Sequence, residues 1–183
     1  MTRLAAINPQ QATGKAKELL DGVQAKFGMT PNSMKTMAQS PAVLEGYLSL
    51  SGALASGTLS AQVREQIAIA VAEANSCQYC LSAHTAIGRL VGLDDGELSG
   101  ARRSTSRDKK TEAVLRFAQA IVVTRGNVTD NDLNRVREAG LRDGEIAEIV
   151  ANVAANIFTN YFNRVAQTEV DFPKIELGLK QVV

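Results

Sequence analysis

Apolar side chains recur along this chain mostly at intervals of three and four residues, rarely at intervals of two. That is the period of one face of an α-helix, so the pattern predicts an all-α protein. Alanine, the strongest helix former, is abundant, and aromatics make up only 4% of the chain. At 183 residues the chain is long enough to bury a real core. No linker or low-complexity segment divides it, so 1–183 reads as a single helical domain.

Capping signals divide the pattern into helices. Asn8-Pro9 reads as a cap with proline at the first helical position, opening a helix that runs through "ATGKAKELLDGVQAKF" and stops near Gly28. Pro31 and Ser40-Pro41 restart the chain twice. "PAVLEGYLSLSGALA" precedes Gly57, and Ser60 caps "AQVREQIAIAVAEA", which ends at Asn75-Ser76. Further helices begin at the cysteines, after Asp94-Asp95, and at "KKTEAVLRFAQAIVVTR". Thr129 with Asp132 resembles a capping box, and the last helix covers "DGEIAEIVANVAANIFTNYFNRVAQ". "GLDDGEL" at Gly92 and "GLRDGEI" at Gly140 echo each other, as two similar corners or as a duplicated helical unit.

Charge and hydropathy exclude several classes. With 20 basic and 19 acidic residues the net charge is +1, no footprint for nucleic acid or an anionic membrane. The first residues contain no apolar h-region, so no secretory signal is visible. No apolar run approaches the roughly 18 residues of a membrane span. Two cysteines three apart cannot staple a fold of this size. Their spacing suits a reducing compartment, the cytoplasm, and points to chemistry.

That chemistry is concentrated in "NSCQYCLSAH", which holds both cysteines and the only histidine. The cluster is a redox site, a metal site or chance. With Ser76 as the N-cap, Cys77 and Cys80 fall in the first turn of a helix. Residues three apart on a helix are separated by ~60° and ~4.5 Å, which suits a disulfide. A helix N-terminus also favours a thiolate. Lowering a thiol pKa by about two units requires ~2.7 kcal/mol, much of which a helix end and one proton acceptor could supply. His84 lies four residues after Cys80 and shares its face, within reach for proton exchange directly or through one water.

Glu65 is the fourth member. On its helix, Gln62, Gln66 and Glu73 form a narrow polar strip, whereas Glu65 falls among Ala68, Ile69 and Ala72. A carboxylate there needs a partner or a raised pKa, unless the helix is rotated to leave it on the surface. If the break at Asn75-Ser76 folds the two helices back on each other, Glu65 and His84 come within about a turn of each other, beside the cysteines.

Glu65, eleven intervening residues and "CQYCLSAH" resemble the signature of the alkylhydroperoxidase D-like (AhpD-like) branch of the carboxymuconolactone decarboxylase superfamily. A weaker likeness covers most of the chain, including "NYFNRVAQTEVDFP". The resemblance implies an all-α AhpD-like fold with an internal helical repeat, assembled as trimers or hexamers, with the catalytic motif core at about 57–126. It implies a cysteine-based peroxidase or disulfide reductase that needs no metal or organic cofactor. Cys80 would attack a hydroperoxide, Cys77 would resolve it, and Glu65 and His84 would relay the proton. A lipoyl-bearing or thioredoxin-like dithiol would reduce the pair. The best-known peroxidase members carry a histidine just before the second cysteine; here that residue is Tyr79, which cannot take a proton from a thiol near neutral pH. Members that act as decarboxylases lack the cysteine pair.

Two other classes fit the same residues. Cys77, Cys80, His84 and Glu65 could ligate zinc, or the protein could be a helical scaffold with an inert thiol pair. In the last helix, Ile146, Ile149, Val150, Val153, Ile157, Tyr161 and Val165, extended by Phe158 and Phe162, give more apolar surface than a small domain can cover. That excess predicts a homo-oligomer.

Overall fold

The computed structural model describes residues 2–178, which form nine α-helices and no strand. They are α1 (Gly14–Phe27), α2 (Asn32–Met37), α3 (Pro41–Ala55), α4 (Ala61–Ala74), α5 (Gln78–Leu90), α6 (Asp95–Arg102), α7 (Lys109–Thr124), α8 (Asp130–Glu138) and α9 (Asp143–Ala166).

Most boundaries follow the capping chemistry. Ser60 Oγ accepts from Val63 N at 3.2 Å, and Thr129 and Asp132 close a reciprocal box. The two echoing corners share their geometry. Gly92 and Gly140 both take positive φ, and Leu93 N and Leu141 N reach back to Gly88 O and Val136 O. Each leucine is buried, so both corners are stapled to the core in the same way. Asn8-Pro9 does not open a helix. Asn8 Oδ1 accepts from Gln10 N in a turn, and α1 starts only at Gly14. The asparagine side chain bonds its own local backbone and closes a turn instead.

α4 lies at the centre, packed on α5, α6, α7 and α9. Ile67, Ile69 and Val71 are fully buried there, with Leu81 of α5 and Leu115 of α7. Full burial of such a side chain stabilises by about 1.5–3 kcal/mol. The crowding also covers Gln66, a member of the expected polar strip. A smaller cluster joins α1, α2 and α3 through Leu20, Met37 and Leu44, against Phe162 of α9. The loop into α4 is held by Glu148 of α9, whose carboxylate accepts from Thr58 N at 2.9 Å and Leu59 N at 3.0 Å.

α9 departs from the simple amphipathic reading. Ile146, Ile149 and Val153 enter the core as expected. Val150, Phe158, Tyr161 and Val165 are exposed, while Asn152, Asn156, Thr159, Asn160 and Asn163 are buried. The C-terminal half of the helix thus turns polar groups inward and apolar groups outward.

Candidate active site

The site is built on the α4–α5 hairpin. α4 ends at Asn75, Ser76 takes φ 52°, and Cys77 N bonds back to Ala72 O at 2.9 Å. A serine in left-handed backbone costs roughly 1–2 kcal/mol, so the corner needs external support. α9 supplies it: Asn160 Oδ1 accepts from Asn75 Nδ2 at 3.0 Å, and Arg164 donates to Asn75 O at 2.7 Å. The N-cap of α5 is Cys77 itself, one residue later than the expected Ser76. Its Sγ accepts from Cys80 N at 3.3 Å.

Cys77 and Cys80 are joined by a disulfide, with Cα atoms 5.4 Å apart. They are 1% and 3% exposed. The hairpin brings Glu65 onto His84, as the spacing predicted. Glu65 Oε2 lies 2.7 Å from His84 Nδ1, and each side chain is 18% exposed. An ionised carboxylate only accepts, so Nδ1 carries the proton and Nε2 remains free to accept one.

His84 stands between two cavities. One, of about 60 Å³, is shared with Cys80 and walled by Met34, Met37, Tyr79 and Phe172. The other, of about 220 Å³, is shared with Glu65 and lined in part by Arg64, Asn152 and Asn156. Tyr47 lines both. Its burial, and then the nearby Glu65 charge, push its phenol pKa up, so it stays neutral. Cys80 therefore faces a space with an imidazole in its wall, whereas Cys77 lines neither cavity.

Tyr79 serves as an anchor. Burial pushes its phenol pKa up. The hydroxyl accepts from Ser33 N at 3.1 Å and donates to Asp171 Oδ1 at 2.9 Å. Asp171 also accepts from Asn32 N at 2.7 Å, so one network ties α2 and the segment after α9 to α5. That segment runs along the first turns of α5. Ile175 N donates to Ser82 Oγ at 3.0 Å, and Phe172, Ile175 and Leu177 pack on the core that contains both cysteines.

Sequence reasoning missed Asn163. Its Nδ2 donates to Cys80 Sγ at 3.4 Å, and it lines the Cys80 cavity. The available signal was the recurrence of Asn152, Asn156, Asn160 and Asn163 at intervals of three and four in an otherwise apolar helix. A buried asparagine is costly without a partner, so such a row marks a site or a network. Among the described residues, no group of three or more His, Cys, Asp or Glu is arranged to hold a metal ion.

The all-helical arrangement that carries this site is shared with known proteins. Residues 41–122 match the model of the carboxymuconolactone decarboxylase family, and the helical fold is similar to that of AhpD-like structures. One structural neighbour is the alkylhydroperoxidase AhpD core, a peroxidase-related protein from Ralstonia eutropha JMP134. It is 24% identical with a TM-score of 0.84, over 93% of this chain and 92% of that one. A peroxidase-related protein from Silicibacter sp. TM1040 is 24% identical with a TM-score of 0.79, over 92% of this chain and 94% of that one. The debrominase Bmp8 in complex with 2,3,4-tribromopyrrole is 18% identical with a TM-score of 0.80, over 93% of this chain and 92% of that one. No curated protein matches the chain by sequence.

Proposed function

We propose that the protein is a thiol-dependent peroxidase that reduces hydroperoxides through a Cys77–Cys80 dithiol/disulfide cycle. The observation that carries this reading is the shared cavity. Cys80 and His84 line one small space, and Glu65 fixes His84 from the other side. His84 Nε2 takes the Cys80 proton. The thiolate attacks the distal oxygen of ROOH, the S–O bond forms as the O–O bond breaks, and the alkoxide leaves as ROH with the proton from His84. Cys77 then attacks the Cys80 sulfenic acid, the S–S bond forms and water leaves. The net reaction is two thiols plus ROOH to disulfide, ROH and H2O.

Regeneration requires an external dithiol, lipoyl-bearing or thioredoxin-like. Its attack falls on Cys80, which lines the cavity, and expels Cys77 as a thiolate. The helix N-terminus that Cys77 caps stabilises that leaving group. A peroxidase assay across several dithiol donors, with a Cys80→Ser control, tests the reading.

The aromatic wall formed by Tyr79 and Phe172 favours one further reading, reductive dehalogenation of a small halogenated ring. The same dithiol would supply both electrons, giving the ring hydride, hydrogen bromide and the disulfide. Bromide release from a bromopyrrole in the same assay separates the two.

The outward apolar face of α9 supports a homo-oligomer, a trimer or a hexamer, that covers Val150, Phe158, Tyr161 and Val165. Light scattering at micromolar concentration is expected to report a multiple of the 19.5 kDa chain. A species of single-chain mass would refute the assembly.

A further inference from the structure

Most of the buried polar groups on α9 are satisfied by the helix itself. Asn152 Nδ2 donates to Glu148 O, Asn156 Nδ2 to Asn152 O, and Thr159 Oγ1 to Asn156 O, at 2.8, 2.8 and 3.0 Å. Asn163, two turns past Asn156, breaks the series. Its Nδ2 leaves the helix for Cys80 Sγ at 3.4 Å. Its Oδ1 is buried without a hydrogen-bond partner, and the residue is only 4% exposed. A buried amide oxygen left unpaired is expensive, and this one belongs to a residue in the wall of the Cys80 cavity.

We propose that Asn163 is a catalytic residue of the dithiol site, and the proposal rests on the peroxidase reading. Its Nδ2–H hydrogen-bonds the Cys80 thiolate, and its Oδ1 accepts the O–H of the hydroperoxide. The two atoms of one amide divide the work. The donor stabilises the nucleophile, because a thiolate is a far better acceptor than a thiol or a disulfide sulfur. The acceptor binds the substrate's only donor and holds the distal oxygen next to the sulfur. Asn163 supplies the one side-chain amide among the described residues of that wall, and its Oδ1 is buried without a partner, whereas Ser33, Tyr47, Tyr79 and Thr159 offer hydroxyls. The O–H bond stays intact until attack, when the distal OH passes to sulfur as the sulfenic acid and the alkoxide leaves with the His84 proton. The cavity holds only about 60 Å³, and Met34, Met37, Ile87 and Phe172 make up much of its wall, so the R group that fits is small and largely apolar.

The test uses Asn163→Ala and Asn163→Leu in the Cys77→Ser background, with iodoacetamide and tert-butyl hydroperoxide as paired probes. Iodoacetamide reports the thiolate alone. Its pH profile should show the Cys80 pKa raised by about one unit in both variants, from the lost charge-assisted hydrogen bond. Well above that pKa every Cys80 is a thiolate, and the iodoacetamide rate should be within about twofold of the parent. The hydroperoxide rate should still be roughly tenfold lower, the loss expected for one substrate hydrogen bond. An unchanged alkylation pKa overturns the donor role. Equal losses with both probes overturn the acceptor role. Should the leucine variant not fold, the alanine variant, which opens space, reads the same quantities. A parent protein that alkylates normally but ignores the hydroperoxide refutes the peroxidase reading, while the alkylation pKa still reads the Asn163–Cys80 bond independently.

Discussion

Cys80→Ser is expected to reduce hydroperoxide consumption to the uncatalysed background, and Cys77→Ser to leave one equivalent consumed per chain without added reductant. The asymmetry follows from placement. Both sulfurs are buried, but Cys80 borders the cavity that holds His84, whereas Cys77 does not. A hydroxyl in place of the Cys80 thiol cannot ionise near neutral pH and offers no comparable nucleophile. Without Cys77, the first half-reaction proceeds and stops at a sulfenic acid, which dimedone traps as an adduct on Cys80. The reverse pattern, with Cys80→Ser retaining the single turnover, would assign the attacking role to the N-cap thiol.

The second large effect concerns the Glu65–His84 pair. Glu65→Gln and His84→Gln are each expected to slow peroxide attack by roughly 10²-fold, the lower end for a lost general base. Glutamine at position 65 keeps the shape but not the charge that holds His84 Nδ1 protonated and Nε2 free. The double variant should lose little more than either single one, because the two side chains act as a unit. The direct observable is the pH dependence of Cys80 alkylation in the Cys77→Ser background, with the apparent pKa rising in each variant. An unchanged pKa would show that the α5 N-terminus and Asn163 activate the thiol without the relay. Fold and assembly should survive, since the pair is partly solvated and each helix is held by many apolar contacts.

Much of this was legible because local chemistry and tertiary structure agree. The helix period, the Ser60 cap, the Thr129–Asp132 box and the Gly28 stop each act within one turn of chain, and the structure keeps them. The Glu65–His84 contact was also legible. A carboxylate among Ala68, Ile69 and Ala72 calls for a partner or a raised pKa unless the helix is rotated, and a hairpin folded at Asn75-Ser76 places His84 within about a turn of it. What failed depends on distant neighbours. Asn8 could cap a helix or close a turn, and the choice was not written in its own spacing. The N-cap fell on Cys77 because Ser76 takes left-handed backbone, at a corner that α9 holds through Asn75. Gln66 reads as polar surface until four helices surround α4. The asparagine row marked a site or network on α9 but not its partner, because Asn163 lies 83 residues from Cys80 along the chain.

The central claim is that the two thiols act as one two-electron reductant. The measurement is intact mass and thiol titration of the fully reduced protein after one equivalent of hydroperoxide. The expected result is a loss of two hydrogens from the chain mass, a fall in titratable thiols from two to none, and a peptide in which Cys77 is linked to Cys80. Two thiols still titratable after peroxide treatment, at unchanged mass, would contradict it.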